Sequence, residues 1–167
     1  MNIRIAKSED LKSIVDIYNQ AIVAGQKTAD TKQVNINDRK EWFKNHTSEK
    51  HPLWVAEDEN KIVGYLTISP YRPGRMALRY TAEVSYYVHT DHHRKGIAST
   101  LLKHAITMCP NLNIKNLFAI LIDNNQASIG LLENYGFKRW GHMPCVADFN
   151  GIEVGHLYYG LRIQKSS

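Results

Sequence analysis

The sequence predicts a mixed α/β domain, with a mostly antiparallel central sheet, flanking helices and one parallel strand–helix–strand unit. Three observations predict it. Stretches of apolar alternation interleave with stretches of helical periodicity, in the order strand, two helices, three strands, helix, strand, helix, two strands. The strand at residues 80–89 is separated from the strand at 117–122 by a helix-length amphipathic segment, which requires a parallel pair with a right-handed crossover. Other strands are joined by turn signals, Asp58-Glu59-Asn60 and Asn150-Gly151, which make antiparallel hairpins.

Each element has its own signal. Residues 2–6 alternate as a short strand. Ser8 is placed to cap a helix with Leu11, Ile14, Val15, Tyr18 and Ile22 on one face, and Gly25 ends it. Residues 26–36 are polar, with few core candidates, and read as a loop. A second helix starts at about Asn37 and is anchored by Trp42 and Phe43. Residues 52–57 and 61–69 form a hairpin, and 70–79 a loop bearing proline and arginine. After the 80–89 strand, Ile97, Leu101, Leu102, Ala105 and Ile106 recur at helical spacing, and the helix stops before Pro110. Asn125 caps the next helix, which ends at Tyr135 with Gly136 as its stop.

The 167 residues suit a single core, and neither a repeat, a low-complexity tract nor a linker divides them, so residues 1–167 read as one domain. The net charge of +5, from 21 basic and 16 acidic residues, is mild and dispersed. It suits a small polyanionic ligand and gives no support to nucleic acid as a partner, since no basic stripe is interleaved with aromatics. The two cysteines, Cys109 and Cys145, do not make a disulfide framework. The N-terminal stretch has no apolar signal core, and no apolar run approaches the roughly 18 residues that span a bilayer. The expected setting is the cytoplasm, with no membrane partner.

The strongest chemical signal is the strand–loop–helix at residues 86–106. Gly96 opens a helix just after Arg94 and Lys95. A glycine lets backbone approach a ligand closely, and the free N–H groups of a helix's first turn make an anion site. The segment therefore reads as a phosphate cradle. It contains neither the GxxxxGK[ST] of a P-loop nor the GxGxxG of a dinucleotide fingerprint.

The spacing His93-x-x-Gly96-x-Ala98 resembles the [Q/R]-x-x-G-x-[G/A] pyrophosphate loop of the GNAT acetyltransferase superfamily. Within it, RIAKSEDLKSIVDIYNQA, AEVSYYVHTDHHRKGIASTLL and DNNQASIGLLENYGFKRWG look most like the phosphinothricin and methionine-sulfone acetyltransferase group. The resemblance covers essentially the whole chain. It implies an N-acetyltransferase that moves an acetyl group from acetyl-CoA to the primary amine of a small amino-acid-like acceptor, by direct transfer and in a homodimer. The enzyme alternative is a protein N-terminal or lysine acetyltransferase. The non-enzyme alternative is an acyl-CoA-binding sensor on the same fold.

The resemblance also assigns residues. Glu83 matches the family's base, which relieves the attacking ammonium of its proton; its other reading is an exposed strand residue paired with a lysine. The backbone at Tyr86, Tyr87 and Val88 would hold the pantetheine arm like an added strand. His93, Arg94, Lys95, Gly96, Ile97, Ala98 and Ser99 would hold the pyrophosphate, with His93 departing from the usual Gln or Arg. Asn125 would contact the cofactor or serve purely as a cap. Arg72 and Arg75 suit an acceptor carboxylate or phosphinate, and otherwise read as surface residues. Leu132 stands where many members place a general-acid tyrosine, and Tyr135 is adjacent to Gly136. His89, His92 and His93 form a histidine-rich loop without ligand partners at metal spacing beyond Asp91, so no metal is expected.

Overall fold

The computed structural model describes residues 1–163. The elements are β1 (Asn2–Ile5), α1 (Leu11–Ala24), α2 (Ile36–Lys44), β2 (Leu53–Asp58), β3 (Lys61–Pro70), β4 (Thr81–Val88), α3 (Ile97–Met108), β5 (Asn116–Ile122), α4 (Gln126–Asn134), β6 (Lys138–Phe149) and β7 (Ile152–Arg162). The strands form one seven-stranded sheet in the order β1-β2-β3-β4-β5-β7-β6. Among the described residues only β4 and β5 pair in parallel, with α3 as their crossover. The predicted mixed α/β architecture is therefore the observed one.

Local chemistry explains most boundaries. Asn35 and Asp38 cap α2 reciprocally, each side chain accepting from the other's backbone N–H, at 3.0 and 3.1 Å. The helix thus begins slightly before the expected Asn37. Asn150 and Gly151 both take positive φ, 55° and 89°, as a two-residue hairpin turn requires. Ser8 does not cap α1. A short 3₁₀ turn, Ser8–Asp10, precedes the helix, and the working carboxylate is Asp10. It accepts from the Lys7 N–H at 2.7 Å and from the Arg4 guanidinium at 2.7 and 3.0 Å. Burial acts to raise the Asp10 carboxyl, but the Arg4 and Lys7 bonds outweigh it and hold it below the usual range. Arg4 also bonds Glu57, at 2.7 Å, so this network ties α1 to β1 and β2.

The sheet has two covered faces. On one, Leu101, Leu102 and Ala105 of α3 and Leu132 of α4 pack on Leu66, Ile68, Val84 and Leu117, all but inaccessible to water. On the other, Ile14 and Ile17 of α1 with Trp42 and Phe43 of α2 pack on Val55 and Tyr65. The alternation of β4 follows from this division: Ala82, Val84 and Tyr86 face α3, whereas Tyr87 belongs to the α1–α2 side. Glu83 and Ser85 share the Tyr87 face by the same period.

One irregularity positions the site. β4 and β5 pair only at Thr81–Asn116, Ala82–Leu117 and Glu83–Phe118, although both continue further. β4 keeps β3 as its partner to Val88, and β5 keeps β7 to Ile122. Beyond Glu83 the two parallel strands have therefore parted, at their carboxyl ends, where open α/β sheets receive ligands.

Candidate active site

The parted strands enclose a cleft of about 570 Å³. Val84, Ser85, Tyr86, Tyr87 and Val88 line one wall, and Ala119, Ile120 and Leu121 the other. His93, Arg94, Gly96, Ile97, Ala98 and Ser99 close one end, with Asn125 and Leu132 beside them. The inner edge of β4 from Val84 onward lacks a strand partner on the β5 side. That is the geometry an extended amide chain needs to add itself as a strand. The Tyr86 and Tyr87 phenols are pushed up by burial, Tyr86 near Ser128 and Tyr87 edge-on to Tyr18 at 5.0 Å. They form walls, leaving the backbone as the polar surface.

The cradle is built from backbone strain and a missing cap. Arg94 and Gly96 have φ of 62° and 77°, so the chain turns twice through the left-handed region around Lys95. Such turns point successive N–H groups into one concavity. Nothing lies within 4 Å of where a Gly96 side chain would begin, so this face opens onto free space. Gly96 offers α3 no side-chain cap, and the first turn of α3 has no acidic residue. The N–H groups of Ile97, Ala98 and Ser99 consequently remain for an anion. The preceding loop is held in place: Gln20 of α1 accepts from the Thr90 N–H at 2.9 Å, and His93 donates from Nε2 to the Val88 carbonyl at 3.0 Å. His93 therefore acts here as a loop brace, with its side chain engaged.

Asn125 caps α4, its Oδ1 accepting from the Ser128 N–H at 3.4 Å, and also lines the cleft. The cap is thus observed, on a residue that also borders the cleft. Leu132 is fully buried and offers no proton. The Tyr135 hydroxyl bonds Ser99 Oγ at 2.7 Å, joining α4 to the start of α3.

Glu83 is the last β4 residue to pair with β5 and stands immediately before the cleft wall. It is half-buried, and burial alone raises its carboxyl above the ordinary value. No lysine or arginine pairs with it among the described residues, so the alternative of a surface ion pair does not hold. Its register partner Phe118 lies between Tyr71, edge-on at 5.1 Å, and Tyr158, stacked at 6.4 Å. This aromatic row beside Glu83 carried no sequence signal, because its members come from different strands and loops.

The 26–36 loop is more organised than its composition suggested. The Tyr18 hydroxyl bonds Thr28 at 2.8 Å and also Asp30. Arg39 lies 4.5 Å over the Tyr18 ring and bonds Asp30 at 3.4 Å. Lys27 from this loop reaches the cleft. Arg72 and Arg75 occupy an exposed turn, where the Arg75 N–H donates to the Arg72 carbonyl at 3.2 Å; neither lines the cleft. The loop histidines do not converge: the His89 and His92 rings are 5.7 Å apart and His93 points to Val88. Among the described residues no group of three metal-ligating side chains gathers. Cys109 is buried, with its thiol pushed up to about 12, far from a nucleophilic thiolate; Cys145 is exposed on β6.

Comparison with known proteins gives consistent matches. The pattern of the Acetyltransferase (GNAT) family matches residues 11–137. YwnH of Bacillus subtilis is 41% identical over 152 residues, covering 90% of this chain and 92% of that protein. The L-methionine sulfoximine/L-methionine sulfone acetyltransferase of Pseudomonas aeruginosa is 34% identical over 148 residues, 87% of this chain and 84% of that one. The crystal structure of a GNAT superfamily phosphinothricin acetyltransferase from Sinorhizobium meliloti, in complex with acetyl-CoA, superposes with a TM-score of 0.91 at 26% identity, covering 97% of this chain and 88% of that one.

Proposed function

Because the chain belongs to the acetyltransferase (GNAT) family, whose cosubstrate is acetyl-CoA, we propose that it acetylates the primary amine of a small amino-acid-like acceptor by direct transfer. The observation that carries this reading is the position of Glu83, at the fork where β4 and β5 part and next to the cleft that ends in the cradle. The first turn of α3 would hold the pyrophosphate, and the backbone of Tyr86, Tyr87 and Val88 would hold the pantetheine arm on its way to the fork. The thioester then arrives near Glu83, which takes a proton from the acceptor ammonium. The freed amine attacks the thioester carbonyl, the carbon–sulfur bond breaks, CoA leaves as a thiolate, and the nitrogen releases its second proton to solvent as the amide forms. With an ordinary thiol pKa near 8.5, that thiolate can take its proton from water, which makes the buried Leu132 no obstacle. The domain is the whole chain, residues 1–167.

A panel of free amino acids and their phosphinate and sulfone analogues, assayed with acetyl-CoA for released CoA, tests the reading. Acetylation of peptide amines alone would favour a protein acetyltransferase. Cofactor binding without turnover on any amine would favour a sensor.

Arg72 and Arg75 stand closest along the chain to the aromatic row, through Tyr71. In the proposed complex the loop swings one guanidinium onto the acceptor's acidic group. Arg72→Ala or Arg75→Ala should then raise the acceptor KM about ten- to hundredfold, the worth of one charged hydrogen bond of roughly 1.5–3 kcal/mol, and leave the acetyl-CoA KM alone. Wild-type KM values in both variants would return these arginines to the surface.

The reading includes a cytoplasmic setting, supported by two free cysteines. It also includes a homodimer. β6 is an edge strand, and Trp140, Met143, Val146 and Ile152 of the β6–β7 hairpin are 53%, 48%, 48% and 59% exposed. An apolar edge of this kind is shielded by a second copy. Sedimentation should show a dimer that Trp140→Glu weakens; a wild-type monomer at micromolar concentration would overturn it.

A further inference from the structure

Glu83 has a second neighbour that the proposed acetyl transfer does not use. Its β3 register partner is Ser69, so the two side chains stand on one face at cross-strand contact distance. Ser69 Oγ lies 3.3 Å from His46 Nε2, and the His46 Nδ1 lies 2.8 Å from the Trp42 carbonyl. A carbonyl only accepts, so the proton sits on Nδ1. Nε2 of the neutral ring is then an acceptor, and the Ser69 hydroxyl must donate to it. The ring is further held edge-on to Trp42 at 4.9 Å.

We propose that His46 is a positioning residue for Glu83: by accepting a hydrogen bond from the Ser69 hydroxyl, it turns that hydroxyl away from the carboxylate. Ser69 then withholds from Glu83 a hydrogen bond that would stabilise the charged carboxylate, and the buried carboxylate stays the better base. This rests on Glu83 being the base. Burial, which lowers the proton affinity of His46, keeps its ring in the required neutral form. The other titratable groups around the chain of contacts are His51 and Lys50 on the His46 side and Tyr87 on the Glu83 side. Without the imidazole the Ser69 hydroxyl is free to donate to the carboxylate, which stabilises the charged form and weakens the base.

The test follows the ¹³C resonance of the Glu83 carboxyl against pH, assigned by its loss in Glu83→Gln. His46→Phe, which keeps a ring against Trp42, should lower the Glu83 midpoint by about one pH unit, the effect of one hydrogen bond to a charged group. Ser69→Ala alone should leave the midpoint near wild type. The double variant should restore it, because the liberated hydroxyl is gone. An unmoved midpoint in His46→Phe, or a double variant as low as the single, overturns the proposal. A long-range ¹H–¹⁵N spectrum of the wild-type protein should show His46 with its proton on Nδ1; a proton on Nε2 overturns the proposal without any variant. None of these measurements uses turnover. If they come out as expected while Glu83→Gln keeps full kcat, the base assignment fails and the hydrogen-bond arrangement stands.

Discussion

Gly96→Glu is expected to abolish the thermal stabilisation that acetyl-CoA gives the wild-type protein. A ligand present at about 100 times its Kd stabilises by about 2.7 kcal/mol, which in a domain of this size raises the Tm by about 5–10 °C. Gly96 has a φ of 77°, and the space before it is open. The Cβ of a glutamate there would meet no described protein atom within 4 Å, so the side chain starts out into that space. It places bulk and a negative charge where, on the proposed reading, the cofactor phosphates reach the N–H groups of Ile97, Ala98 and Ser99. It also brings the conformational cost of a non-glycine residue in the left-handed region, about 1–2 kcal/mol, which lowers the Tm without ligand. Gly96→Ala separates the two effects. It carries the backbone cost without bulk or charge, and should melt lower than wild type yet keep most of the acetyl-CoA shift. A folded Gly96→Glu protein that binds acetyl-CoA as wild type does would place the cradle elsewhere.

The cradle was legible because its determinants are local. A basic pair, a glycine and a helix start lie within a few residues, and the cap that α3 lacks is itself a sequence fact. The element order was legible for the same reason: periodicity, the Asn150-Gly151 turn and the helix stops at Gly25 and Gly136 act within one or two turns of chain. Glu83 was reached only through resemblance, since a single glutamate on a strand carries no pattern of its own. What stayed hidden was produced by pairing. The separation of β4 from β5 after Glu83 depends on β3 and β7 holding each strand on its far side. The row of Tyr71, Phe118 and Tyr158, and the contact of His46 with Ser69, arise between segments far apart in the chain. The Ser8 cap failed because a local preference met a stronger competitor: Arg4 and the Lys7 N–H converge on Asp10, and the chain turns to satisfy that buried carboxylate instead.

Glu83→Gln should keep the fold and the acetyl-CoA shift while lowering kcat about 10²–10⁴-fold near neutral pH, the usual cost of losing a general base. The pH dependence gives the expectation its sign. Burial raises the Glu83 carboxyl, so in the wild type activity falls as acid protonates it, at a pH higher than an exposed glutamate would give. The glutamine variant lacks that limb. Its rate should follow the fraction of acceptor that arrives as free amine, and its deficit should shrink as pH climbs towards the amine's own pKa. The same shift makes a stability claim. A carboxyl whose folded value lies above its unfolded value contributes most below the unfolded value, and that contribution is lost as pH rises through the folded one. At neutral pH the buried carboxylate therefore weighs against folding, and Glu83→Gln should melt at or above wild type there, with the difference closing in acid. A variant that is slower but no less stable separates lost chemistry from lost structure. Unchanged kcat at neutral pH, with chemistry rate-limiting, would remove Glu83 from the role of base. A large loss that ignores pH would leave it as a fixed negative charge that holds the acceptor ammonium at the fork between β4 and β5.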